Sequence, residues 1–194
     1  VYLALDVPPE ELNIDSYSYF VGDTMDTDII WENYRTLEPP NYITTIVLNK
    51  AVPDCFLKGT TEMSITALPK PNGWLNVKEE DYYDVKRKMG KAMIEMMGDA
   101  LGVNLFDHIE EIEIATPMTI ARYTGSWNGS VYGYEHQLWD SLVGRMATER
   151  EERYIDGLEF AGAHASIGNG YAPAITSGRK AAGEILKAMR KGGY

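Results

Sequence analysis

Gly157-Leu158-Glu159-Phe160-Ala161-Gly162-Ala163, then Ile167-Gly168-Asn169-Gly170-Tyr171-Ala172-Pro173, then Ser177-Gly178-Arg179, is the stretch on which the fold of this chain turns. Leu158–Gly162 reads as a short buried strand, Gly168 and Gly170 as a turn with free backbone angles, and Pro173 as the first residue of a helix running to Lys191. Ala174, Gly178, Ala181 and Ala182 give that helix a small-residue face, and Lys187, Arg190 and Lys191 complement the negative end of its dipole. Its start points backbone N–H groups at whatever fills the turn, which suits an anion or an electron-rich ring. The same unit also serves as a plain crossover in α/β domains, and a glycine-rich turn alone does not decide between the two. A lone strand and helix cannot form a doubly wound sheet, and no Gly-x-Gly-x-x-Gly accompanies them: after Gly168-Asn169-Gly170 the third glycine position is Pro173.

Working outward, the preceding residues read as a sheet with one long helix. Val1–Leu5, Ser16–Val21, Tyr42–Leu48, Glu62–Leu68 and Ile109–Ile114 have strand character, and Met63, Ile65 and Ala67 alternate with Glu62, Ser64 and Thr66. Pro8-Pro9, Gly22-Asp23 and Asn72-Gly73 punctuate them, and Asp26-Thr27-Asp28 can cap a short helix. From Asn76 to Leu101 the chain predicts a helix, with Asn76 and Glu79 as a capping box and Gly102 as its stop. Tyr82, Val85, Met89, Met93, Met96 and Ala100 recur on one apolar face. Methionines can present an adaptable ligand surface, but here core packing is the simpler reading. Thr116-Pro117 starts a short helix ending near Tyr123, Gly125–Gly133 is a loop, and residues 145–156 are a charged, solvated segment.

The 194 residues fit one domain or two small ones, and 44% hydrophobic against 24% charged residues describes a globular chain with an ordinary core. A net charge of −11 disfavours nucleic acid, whose phosphates select cationic surfaces, and on average repels an anionic membrane. Cys55 is the single cysteine, which removes intrachain disulfides and cysteine-based zinc sites and favours a reducing cytoplasm. No apolar run approaches the roughly 18 residues that span a bilayer. Val1-Tyr2-Leu3-Ala4-Leu5-Asp6 has no signal-peptide pattern and looks like a strand entered midway, so the chain reads as a piece of a longer protein. Thirteen tyrosines stand against four phenylalanines, a bias that suits half-buried strands, cleft walls and interfaces.

Few side chains carry chemistry by themselves. His108 and His136 have no metal-ligand spacing, and Asp23, Asp26 and Asp28 are followed by Ile29-Ile30 where a calcium loop needs glycine and more oxygens. His164 is either a proton donor or a turn residue. Gly125-Ser126 and Gly129-Ser130 lack a nucleophile elbow. No catalytic residue stands out. Tyr123, Trp127, Tyr132 and Tyr134 either line an apolar channel or pack a domain junction.

The closing blocks resemble the carboxy-terminal flavin-contacting segment of FAD-dependent oxidoreductases, on the branch of phytoene desaturases, carotenoid isomerases and retinol saturases. Thr116-Pro117-Met118-Thr119, Arg122-Tyr123-Thr124-Gly125 and Asn128-Gly129-Ser130-Val131-Tyr132-Gly133 look like the family's return from substrate domain to flavin domain. Gly157–Ala163 looks like the last strand of the flavin domain, and Gly170-Tyr171-Ala172-Pro173-Ala174-Ile175 with Ser177-Gly178 like the turn and helix start beneath the flavin. The match spans roughly residues 115–190 in order and spacing; before that only the element pattern agrees. Ala163 stands where many relatives have an acidic residue, which fits the carotenoid-type branch.

The resemblance implies an α/β fold with α+β character: a substrate-binding domain with a mixed or antiparallel sheet (1–120), then a return segment and the strand–helix remnant of an FAD-binding Rossmann domain (121–194). It implies that Gly162, Ala163, Gly170, Tyr171, Ala172 and Pro173 contact FAD, and that Tyr123, Trp127 and Tyr132 meet an apolar substrate. It implies hydride transfer between flavin and a C–C bond, a cytoplasmic enzyme, and for the full-length protein peripheral membrane contact. A non-catalytic binding or homo-oligomerising module is the alternative, because the amino-terminal dinucleotide motif is absent and an open strand edge favours pairing with another chain. A flavin enzyme acting on polar amines is a third reading.

Overall fold

Alternation in the first half produces one antiparallel sheet. The computed structural model describes residues 1–132, 143, 155, 157–162 and 170–192, and divides the chain into two compact units, Val1–Gly129 and Ser130–Tyr194. In the first unit, β1 (Tyr2–Leu5), β2 (Ser18–Gly22), β3 (Tyr42–Ile46), β4 (Thr61–Thr66) and β5 (Ile109–Glu113) form a five-stranded sheet in the order β2-β3-β4-β1-β5. Every pairing is antiparallel, with Leu3 opposite Met63 and Ile112, and Thr45 opposite Tyr19 and Ile65. The α+β expectation therefore holds, with the mixed-sheet option resolved as antiparallel.

One face of the sheet carries the core. Leu3, Leu5, Ile43, Val47, Met63 and Ile65 are essentially inaccessible and cluster with Leu12, Ile14 and Leu105. A long helix lies over them (α4, Tyr82–Leu101) and buries Met89, Met93, Ile94, Met97 and Leu101. The methionines are thus core residues. The buried face also includes Gly90 and Gly98: a Cβ on Gly90 would strike the Ile114 side chain, and one on Gly98 would stand 2.7 Å from the Val103 carbonyl oxygen. These close approaches turn the helix about one residue away from the face expected from Val85, Met96 and Ala100.

Two local expectations fail together. A short helix (α3, Pro71–Leu75) starts on Pro71, so Asn72-Gly73 lies within it and is no hairpin turn. Asn76 ends that helix, its N–H bonding to the Gly73 carbonyl at 3.3 Å, and therefore cannot cap the next one. A single 3-10 turn, Glu79–Asp81, leads into α4, which Gly102 ends with φ 70° as expected. Two other short helices behave as read. Asp26 caps α1 (Thr27–Asn33), its carboxylate accepting from Asp28 N at 2.9 Å and Ile29 N at 3.4 Å. Thr116 and Thr119 form a capping box at α5 (Pro117–Thr124), and the Tyr82 and Thr116 hydroxyls share a hydrogen bond of 2.8 Å that ties α4 to α5. Another short helix, α2 (Leu48–Ala51), follows β3.

In the second unit the helix expected from Pro173 begins two residues earlier (α6, Tyr171–Arg190). Pro173 then occupies the third helical position, where its missing N–H is still one of those without an intrahelical partner. Lys187 and Arg190 occupy its last turn, and Ala174, Gly178 and Ala181 are half-buried while Ala182 is exposed. Leu158–Gly162 is not a strand: residues 158–161 join no ladder among the described residues. A strand exists only through its neighbours' hydrogen bonds, and this segment instead bonds to a helix side chain.

Candidate functional site

Gly162, Gly170, Tyr171, Ala172 and Pro173 converge on the start of α6. Gly162 has φ 114° and Gly170 φ 109°, angles that side chains disfavour, and a Cβ on Gly162 would meet no atom of the described residues within 4 Å. The Gly162 N–H donates to Ser177 Oγ at 2.8 Å, and the same hydroxyl donates to the Ala174 carbonyl at 2.8 Å. Ser177 is 4% exposed and is the buried residue of the helix. A polar side chain thus holds the bare backbone of Gly162 against the second turn of α6.

No side chain caps α6 at Gly170, whose carbonyl accepts from Ala174 N at 3.0 Å. The N–H groups of Tyr171 and Ala172 have no carbonyl partner within a helix that begins on them, and Tyr171 is 93% exposed. Such a helix start stabilises negative charge. Ala163, His164, Gly168 and Asn169 lie outside the described residues.

The three aromatic residues are divided between the two units. Tyr123 is on the last turn of α5 and Trp127 in the 3-10 turn after it, 83% and 85% exposed. That turn folds back on the start of α5 so tightly that Gly129, at φ 70°, lies against the Pro117 backbone with no room for a Cβ. Tyr132 belongs to the second unit. Tyr134 and His136 lie outside the described residues.

Three exposed apolar side chains on one sheet face of the first unit escaped the sequence reading. Residues directly opposite in an antiparallel pair share a face. Phe20 stands opposite Thr44, and Ser18, Ile46, Ser64 and Tyr2 follow one another across β2, β3, β4 and β1. This is the sheet face away from α4, and Tyr2, Phe20 and Ile46 are exposed on it. The signal was apolar residues at odd and even positions alike, as in Tyr19-Phe20-Val21, a mark of a strand with two apolar faces.

Other candidates lack the geometry of a site. His108 Nδ1 lies 3.2 Å from Asp6 Oδ1 at the edge of the sheet. Among the described residues no three His, Cys, Asp or Glu side chains gather as a metal site would require, and no helix is long and apolar enough to cross a membrane. A concavity of about 390 Å³ at the end of α4, beside Glu95, Asp99 and Phe106, contains none of the residues that the sequence offers as cofactor or substrate contacts.

A search of family models gives no match for this chain. Over 102 residues it is 28% identical to a phytoene desaturase of the fungus Phycomyces blakesleeanus, an alignment covering 52% of this chain and 17% of that protein. The likeness is that of a distant relative of an oxidoreductase.

Proposed function

We propose that the protein carrying this chain is an FAD-dependent oxidoreductase that moves hydride between flavin and a carbon–carbon bond of an apolar, carotenoid- or retinoid-like substrate. The observation that carries this reading is the pairing of a side-chain-free backbone segment, Gly162, with the uncapped start of α6. The similarity to the fungal phytoene desaturase supports it from sequence. The residues suit the group: a space that even a Cβ would enter lies beside Gly162, and two N–H donors without intrahelical partners open α6.

Gly162, Ala163, Gly170, Tyr171, Ala172 and Pro173 would hold the cofactor through backbone and small side chains. When bound, FAD supplies the two-electron acceptor or donor for the hydride. The helix start would favour negative charge at its end of the ring. In the first unit, Tyr2, Phe20 and Ile46 on the open sheet face would receive an apolar chain, and the exposed rings of Tyr123 and Trp127 would add aromatic contacts. A substrate of this kind partitions into lipid, so the reading includes peripheral membrane contact of the full-length protein.

Anaerobic mixing of the flavin-loaded, full-length protein with a long polyene tests the reaction. Changes in the visible flavin band with conversion of the polyene are the expected result. Bleaching by amines and none with polyenes would contradict it.

A further inference from the structure

We propose that Ser177 is a positioning residue of the flavin site, holding the Gly162 peptide so that Gly162 offers the cofactor an open face and not an N–H donor. The inference rests on the flavin reading above. A serine hydroxyl has one hydrogen to give and lone pairs to accept with. In Ser177 the hydrogen goes to the Ala174 carbonyl at 2.8 Å, and Oγ accepts from Gly162 N at 2.8 Å; the Gly162 carbonyl is farther, at 3.4 Å. The one hydrogen of the hydroxyl is used, and so is the Gly162 N–H.

That second point changes what Gly162 can do. A glycine approaching a cofactor is readily assigned an N–H contact to phosphate. Here the N–H is taken by a buried side chain fifteen residues away in sequence. What remains is the Cα side, where no atom of the described residues lies within 4 Å of a built Cβ. Backbone donors for an anionic group therefore come from the start of α6.

Serine is an unlikely choice for helix stability alone. Alanine is the better helix former, and a serine bonding back to its own helix gives no general advantage. Ala174, Ala181 and Ala188 lie on the same side of the helix, one or more turns away. The distinct feature of Ser177 is the bond to Gly162. It keeps the two flavin-facing stretches, 157–162 and 170–173, in fixed register.

The test is FAD titration of the full-length protein stripped of cofactor, read by quenching of flavin fluorescence. Ser177→Ala should weaken binding about five- to tenfold, the worth of one hydrogen bond, and broaden the resolved shoulders of the bound flavin band. Ser177→Thr, which keeps a hydroxyl, should recover most of the loss. Gly183→Ala, a helix-favouring change on α6 into open space, should leave affinity unchanged. Ser177→Ala binding FAD as tightly as the parent would overturn the inference and leave the flavin reading intact. Weakening in Ser177→Ala that Ser177→Thr fails to recover would also overturn it, because the hydroxyl would then not be the cause. A parent protein that binds no FAD overturns the flavin reading and this inference together.

Discussion

The two units use their side chains differently. In Val1–Gly129, strands and α4 close on each other until Leu5, Ile43, Met63, Ile65 and Met97 are sealed from water. In the second unit, α6 buries a serine, while Tyr171 and Ile175, like Phe160 before it, remain more than 70% exposed. The first unit is held by non-directional apolar burial. The described part of the second is held at its glycine turn by hydrogen bonds of fixed direction. The first arrangement makes a stable platform; the second fixes the position of one backbone peptide, as a binding site requires.

The largest expected effect bears on the closed character of the first unit. Gly129→Ala puts a Cβ into the Pro117 backbone and forces a residue with a side chain to φ 70°. It should destabilise that unit by about 4 kcal/mol in denaturant titration. A loss within about 0.5 kcal/mol would mean that the turn after α5 is not packed as described. Next is Met97→Ala, which empties a fully buried position under α4 and should cost about 3 kcal/mol. If the two units are energetically distinct, it should shift one unfolding transition and leave the other in place.

Ser177→Ala should sharpen the contrast from the other side. It leaves the Gly162 N–H without its acceptor, a loss of about 1 kcal/mol, and should lower hydrogen-exchange protection at Gly162 without altering protection in β3 and β4. The smallest expected effect is from Phe20→Ser on the open sheet face, where the ring is 71% exposed. Stability of the first unit should move by no more than about 0.5 kcal/mol, while binding of an apolar polyene should weaken. Unchanged binding would remove that face from the substrate site.

Much of the first unit was legible because β3 is rich in β-branched residues, β4 alternates cleanly, and Gly102 and Gly125 stop α4 and α5 with φ 70° each. The Asn76 cap was misread because Asn76 and Glu79 match a capping box locally, whereas Pro71 had already started a helix that Asn76 ends. The buried side of α4 was misjudged because hydrophobicity patterns give no weight to Gly90 and Gly98, which admit Ile114 and the Val103 carbonyl. In the second unit Leu158–Gly162 has the composition of a strand, but composition does not supply a partner. The backbone freedom of Gly162 and Gly170, at φ 114° and 109°, was legible from the residue type. The Ser177–Gly162 bond was not, because no local pattern links residues fifteen apart in sequence. The exposure of Phe20 and Ile46 was hidden because they resemble core residues until the register shows which side α4 covers.

The central claim is that this chain contributes to a flavin site. The visible absorption spectrum of the full-length protein, purified without added cofactor and again after adding FAD, tests it most directly. The account predicts flavin bands with quenched fluorescence, and release of FAD on denaturation. A colourless protein whose spectrum and fluorescence stay unchanged when FAD is added would contradict it.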